Sequence, residues 1–140
     1  MHSRFTLNFK AVMKFYGYAA VYGSPDRDRD VFAQGCFTGF LQTPNHLNIP
    51  MLNGHAGQPI GRWLKMIEDG FGLLVIGELN EGLTLPSQPF PGLSVTAINA
   101  QGSSFPNPWG GKLCRSADLA EISIVEAPAH HGARILGPWD

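Results

Sequence analysis

The sequence has few cysteines, little charge of either sign and no long apolar run. Its two cysteines, Cys36 and Cys114, lie in unrelated contexts without metal-ligand spacing, so we expect free thiols in a reducing cytoplasm. A net charge of -1 gives no basic surface for nucleic acid or an anionic membrane, and neither partner is expected. No stretch approaches the ~18 consecutive apolar residues of a transmembrane helix.

The N-terminal segment also lacks the features of an export signal. Residues 1–15, MHSRFTLNFKAVMKF, alternate in polarity and carry Lys10 and Lys14 among the apolar positions. A secretory signal would show an uninterrupted apolar run and a small-residue cleavage site. We therefore expect residues 1–140 to form a single domain, whose length is usual for one core.

Glycine and proline are abundant, and the apolar residues follow a period of two. The 17 glycines and 11 prolines favour short strands and turns over long helices. Alternating or apolar runs predict strands at 15–23, 49–55, 60–68, 71–80, 93–99 and 119–127. The Asp-Gly pair in EDG (68–70) predicts a hairpin between the third and fourth of these.

Helical signals are weak. Apolar residues at helical spacing predict one short amphipathic helix within 31–42. The proline-rich stretches 81–92 and 103–112 are expected to be loops. The pattern predicts a mainly β protein with short helices (α+β), in the form of a small, mostly antiparallel barrel or sandwich.

Ser94 and His55 are the first candidate catalytic residues. Ser94 lies in a strand, in GLSVTAI, where most serines are structural, and it lacks the G-x-S-x-G context of α/β-hydrolases. His55 follows an apolar strand and is flanked by Gly54 and Gly57, so the backbone can turn there and leave the ring at a cleft. A turn histidine without a catalytic role is the alternative.

The carboxylates offer a third candidate group. Glu121 shares a face of its predicted strand with Leu119 and Ser123, and it either lies in solvent or lines a cleft and orients an imidazole. Asp30 ends the turn SPDRDRD and could approach the same cleft. His130 and His131 are adjacent, and on an extended backbone they would point to opposite sides, which disfavours a joint metal site.

Four segments, in order along the chain, resemble the prohead (capsid maturation) serine proteases of tailed phages, a family related in fold to the herpesvirus assembly proteases. GYAAVYGSPDRDRDVFAQGCFTGFL is similar to the family's first strand, turn and "D-V-x-x-G-x-F" segment. IPMLNGHAGQPIGRWLKMIEDGFGLLVIGELN resembles the block with the catalytic histidine and "P-I-G". GLSVTAI resembles the nucleophile strand "G-L-S-I-G", and LAEISIVEAPAHHGARI the closing "L-x-E-V-S-L-V-x-x-P-A-x-x-G-A".

The resemblance implies a closed or partly open β-barrel and a serine endopeptidase. It assigns Ser94 as nucleophile and His55 as general base, with Glu121 as third member and Asp30 as its competitor. It implies no cofactor and no metal. The implied substrates are the phage scaffold and major capsid protein, cleaved by a homo-oligomer within the assembling prohead in the host cytoplasm.

The sequence departs from the family pattern at three places. A short proline-rich loop, EGLTLPSQPFPG, replaces a helical segment before the serine strand, and Thr96 stands where the motif has glycine. The chain also ends soon after GARI, without the long self-cleaved tail common in the family. The alternative function is therefore a catalytically inactive relative, acting as a structural or scaffold-binding module in head assembly.

Overall fold

The computed structural model describes residues 12–86 and 89–140. Ten strands are present in these ranges: β1 (Lys14–Val21), β2 (Val31–Phe32), β3 (Met51–Asn53), β4 (Ala56–Glu68), β5 (Gly72–Leu79), β6 (Gly92–Asn99), β7 (Ser104–Pro106), β8 (Lys112–Cys114), β9 (Ala117–Val125) and β10 (Ile135–Pro138). One α-helix, α1 (Thr38–Leu41), and a 3-10 turn at His46–Asn48 lie between β2 and β3. The predicted mainly β fold is confirmed.

Seven strands form one curled sheet, in the order β10-β1-β5-β4-β3-β9-β6. Neighbouring strands are antiparallel except β3 and β9, which are parallel. The two ends of the sheet meet where Leu93 donates its N–H to the carbonyl oxygen of Ala133 at 2.9 Å and Gly92 bridges Arg134. Beyond this point β6 has no neighbour among the described strands except β9, so the barrel is partly open along β6.

The core fills the concave side of the curled sheet. Alternation in the strands sends Phe15, Val75 and Leu93 inward, and each is fully buried. Phe15 packs on Trp63 in an edge-to-face arrangement, with ring centroids 5.8 Å apart. Apolar burial of this kind is the main stabilising term of a small domain, and it fixes the register of the strands that carry the candidate site.

The hairpin predicted at 68–70 is confirmed, because β4 ends at Glu68 and β5 begins at Gly72. The Asp69 carboxylate caps this turn by accepting the N–H groups of Phe71 and Gly72 at 2.8 and 3.0 Å. Asp69 also accepts a hydrogen bond from the Tyr18 hydroxyl, and this bond raises the pKa of Tyr18 to about 12. The turn is therefore held by the residue type that hairpin turns favour.

The short elements differ from the prediction at two places. The helix predicted within 31–42 is present, but it is only the single turn α1, since Val31 and Phe32 pair in parallel with β8. The prediction of a loop over 103–112 is wrong, because this stretch contains β7 and the first residue of β8, which form a hairpin. These short strands form a second sheet, β2-β8-β7, in which the pairing of β2 with β8 joins segments distant in sequence.

No helix within the described ranges is both long enough and apolar enough to cross a membrane. Both cysteines are free and buried, with Cys36 just before α1 and Cys114 at the end of β8. Burial raises the pKa of each thiol, so both are held as unreactive thiols rather than thiolates.

Candidate active site

His55 lies at the tip of the tight turn between β3 and β4. Asn53 pairs with Ala56, and the two residues between them, Gly54 and His55, have φ of 62° and 64°. Two successive positive φ values define a type I′ turn, in which glycine is favoured and histidine is tolerated better than most residues. The turn is bound to β9, since Gly54 N–H donates to Ile124 O at 3.0 Å.

Glu121 on β9 holds the imidazole of His55. Nδ1 of His55 donates to Oε1 of Glu121, and Nε2 is then the basic nitrogen of the neutral ring. The Glu121 side chain is only 11% exposed, whereas the His55 side chain is 42% exposed. This arrangement has a buried carboxylate orienting a partly accessible imidazole, as in a nucleophile–base–carboxylate triad.

Alternation in β9 places Glu121 on the side of the sheet away from the core, since its neighbour Ile122 packs in the core. Thr96 pairs with Glu121 but Ala97 pairs with Leu119, so Ala120 is an extra residue on β9. The expectation that Glu121 and Leu119 share a face is therefore wrong, because Leu119 packs in the core. Without the bulge, period-two alternation would place Leu119 on the same face as Glu121, away from the core.

Ser94 lies on the same face as Glu121, on the neighbouring strand β6. Ser94 is directly opposite Ser123 on β9, two residues from Glu121. A cavity of about 430 Å³ is lined by both Ser94 and His55, so the two predicted catalytic residues face one space. The hydrogen bonds of the described residues include none between Ser94 and His55, and such contacts often tighten only when substrate binds.

Asp30, the competing third member, is bound elsewhere. Its Oδ1 accepts the backbone N–H of Lys112 at 2.9 Å, which joins the turn 24–30 to β8. Within that turn, Asp26 Oδ1 accepts the N–H groups of Asp28 and Asp30 at 2.8 and 3.0 Å. Asp30 lines the cavity as predicted, but the carboxylate bonded to His55 is that of Glu121.

The adjacent histidines do not point to opposite sides. The rings of His130 and His131 stack 5.0 Å apart, because the backbone turns here instead of extending. Nδ1 of His130 accepts the N–H of Gly132 at 3.0 Å, so Nε2 carries the proton that is donated to Ser24 Oγ at 2.8 Å. His130 also lines the cavity, where it joins two of the bordering loops.

Two hydroxyl groups around Glu121 were not identified as site residues from the sequence. Ser123 Oγ donates to Glu121 Oε2 at 2.8 Å and accepts the N–H of His55 at 2.9 Å. Thr96 Oγ1 donates to Glu121 Oε1 at 2.7 Å. The period-two spacing of Glu121 and Ser123 was visible in the sequence. The contacts of these two residues with His55 and Thr96 depend on the register of three strands.

The described ranges hold no group of three or more histidine, cysteine or acidic side chains arranged to bind a metal ion. The cavity and the bond to His55 bring together a hydroxyl, an imidazole and a carboxylate. In such a set the imidazole takes a proton from the hydroxyl, and the carboxylate stabilises the resulting charge.

The chain resembles a curated phage protein over most of its length. It is 28% identical over 130 residues to the prohead protease of Enterobacteria phage HK97, and the match covers 86% of this chain. The same match covers 58% of the phage HK97 protein, so the chain spans little more than half the length of that relative.

The fold resembles that of a herpesvirus protease. A crystal structure of KSHV protease in complex with a hexapeptide phosphonate inhibitor matches with a TM-score of 0.61, over 90% of this chain and 64% of that chain. At 13% identity this likeness concerns the fold alone, and it confirms the predicted herpesvirus-protease-like, partly open barrel.

A family model described as the caudovirus prohead serine protease matches residues 4–106, which is most of the chain. The chain therefore belongs to the caudovirus prohead serine protease family.

Proposed function

We propose that this chain is a serine endopeptidase that cleaves scaffold and capsid proteins during maturation of a phage head. Ser94 is the nucleophile, His55 the general base and Glu121 the third member. The observation that carries the proposal is the bond from His55 Nδ1 to Glu121 Oε1, together with the cavity that His55 and Ser94 both line. Residues 1–140 act in it as one protease-like domain.

The proposed reaction is acyl transfer. Nε2 of His55 accepts the hydroxyl proton of Ser94 as Oγ attacks the scissile carbonyl, and it then returns the proton to the leaving amine. Glu121 keeps the other ring nitrogen protonated and stabilises the imidazolium while it exists. Water then attacks the acyl-enzyme, with His55 again as the base, and Ser94 is regenerated.

The open edge of β6 supports an extended peptide as substrate. Leu93 directs its N–H away from β9, toward Ala133. Peptide groups alternate in direction along a strand, so the N–H and C=O of Val95 also point away from β9. A substrate strand can pair with these groups while its side chains enter the cavity, in the manner of β-strand addition.

Co-expression with the scaffold and capsid proteins of the same phage tests the proposal. We expect the wild type to process them and Ser94→Ala to leave them intact, because the alanine retains the fold but has no nucleophile. Thr43→Val is the control for a hydroxyl lost far from the cavity, since Thr43 Oγ1 bonds only locally, to Phe40 O at 2.6 Å. Equal processing by Ser94→Ala would refute the serine mechanism.

The same experiment addresses the alternative. If the chain is a catalytically inactive relative, the wild type will also leave these proteins intact, although it still assembles with them.

The proposed enzyme acts as a homo-oligomer within the prohead in the host cell, and sedimentation of the purified chain measures that association. Neither a cofactor nor a metal is required by the proposed steps.

A further inference from the structure

The carboxylate of Glu121 accepts three hydrogen bonds, one from His55 and two from hydroxyl groups. Oε1 accepts from His55 and from Thr96 Oγ1 at 2.7 Å, and Oε2 accepts from Ser123 Oγ at 2.8 Å. A carboxylate has about four lone-pair positions, so most of its accepting capacity is used. Its rotation is therefore restricted from both sides, and one hydrogen bond alone would not achieve this.

Ser123 connects two parts of the site. Its Oγ accepts the N–H of His55 at 2.9 Å and donates to Glu121. The side chain is fully buried, so its hydroxyl depends on these partners. The turn that carries the base and the strand that carries the carboxylate are thus held in one geometry by a single oxygen atom.

Thr96 completes the arrangement at the surface. It lies opposite Glu121, beside the bulge in β9. Thr96 is exposed, so removing its hydroxyl opens no cavity in the core. A glycine at this position, as in the motif quoted above, would have no side-chain donor for the carboxylate.

We propose that Thr96 and Ser123 are positioning residues, which fix the Glu121 carboxylate so that His55 keeps its proton on Nδ1 and presents Nε2 to the cavity. The inference rests on the proposed function only for the effect on the reactivity of Ser94, because the tautomer of His55 is a property of the free chain. Neither hydroxyl contacts substrate in this account; both act through Glu121.

The test combines reactivity with NMR. A fluorophosphonate probe measures reactivity, since it phosphonylates an activated serine, and its kinetics separate the inactivation rate constant from probe binding. We expect Thr96→Val to lower the rate constant about three- to tenfold with probe binding unchanged, because water can partly replace the lost bond at this exposed position. Thr96→Ser should restore the wild-type rate, because it returns the hydroxyl without the methyl group.

Ser123→Ala should have the larger effect. It removes a bond to the charged carboxylate and the acceptor of His55 N–H, so we expect a loss of about 10- to 100-fold. Thr43→Val, which removes a hydroxyl elsewhere, should label at the wild-type rate. If Thr96→Val and Ser123→Ala also label at the wild-type rate, the positioning role is wrong.

NMR of the free protein tests the proposal even if the chain has no peptidase activity. In ¹⁵N-histidine-labelled wild type and in Thr96→Ser, we expect the Nδ1–H tautomer of His55 and a sharp low-field Nδ1–H resonance. In Thr96→Val and Ser123→Ala that resonance should broaden as the carboxylate rotates and the proton exchanges with water. An unreactive wild type with this NMR pattern would refute the proposed enzyme and support the positioning role. Unchanged spectra in both variants would overturn the positioning role.

Discussion

Replacing Glu121 with glutamine is the sharpest test of the proposed triad. The substitution preserves the shape of the side chain but removes the charge that faces His55. Where the amide oxygen takes the place of Oε1, the imidazolium of the reaction loses its counter-ion. Where the amide nitrogen faces His55 instead, Nδ1 must become the acceptor, and Nε2 then carries a proton and cannot act as the base.

The size of the effect follows from the charges. Opposite unit charges about 4 Å apart interact by about 4 kcal/mol at an effective dielectric constant of about 20. The His55 side chain is 42% exposed, so solvent reduces this interaction. With about 2–4 kcal/mol of transition-state stabilisation lost, and roughly 1.4 kcal/mol for each factor of ten, the rate constant should fall about 30- to 1000-fold.

The assay is the rate of fluorophosphonate labelling of Ser94, compared with Asp30→Asn as the matched control. Asparagine at position 30 retains an oxygen for the N–H of Lys112, so we expect a labelling rate within about threefold of wild type. Circular dichroism and thermal unfolding verify that Glu121→Gln is folded. A Glu121→Gln rate within about threefold of wild type would refute Glu121 as the third member. A large loss confined to Asp30→Asn would assign that role to Asp30.

Two further predictions concern the fold and the cavity loops. In Gly77→Ala the new Cβ would lie 2.7 Å from Phe15 Cζ and 2.9 Å from Trp63 Cζ3, so we expect about 1–3 kcal/mol of destabilisation by urea unfolding. In Gly70→Ala the new Cβ would have no atom within 4 Å, so stability should change by less than about 0.5 kcal/mol. Equal losses of stability in the two variants would contradict the packing argument. Burial lowers the pKa of His130, so the unfolded chain binds that proton more readily and stability falls as the pH drops through about 6.5. The stability difference between wild type and His130→Gln should therefore be smaller at about pH 5.5 than at about pH 7.5, and a constant difference would exclude the effect.

Local sequence patterns were sufficient to predict the main strands. Alternation predicts β1, β4, β5, β6 and β9, because each strand buries one face against the core, and a shift of one residue would expose its apolar side chains. The strongest of these patterns surround Asp69 and Gly70, where turn chemistry and alternation agree. The sequence did not separate β2 from α1 within 31–42, because both are too short to show a period of their own.

The candidate site was predictable only in part. The glycines around His55 indicated a turn, and the structure has the residue at the tip of one. The choice between Glu121 and Asp30 could not be made from spacing, because both lie far from His55 in sequence. The partners of Glu121 depend on the pairing of β3 and β6 with β9, and Asp30 is bound by the second sheet.

The sequence by itself determined which residue types are available for chemistry and which segments form the main strands. Those properties are local, since they follow from side-chain periodicity and turn preferences. The tertiary structure alone decided that the β3–β4 turn lies on β9, that Glu121 bonds to His55, and that Thr96 and Ser123 surround the same carboxylate. Except for the local pair of Ser123 and Glu121, these contacts join residues 25 to 70 positions apart. Only the pairing and register of β3, β6 and β9 bring them together.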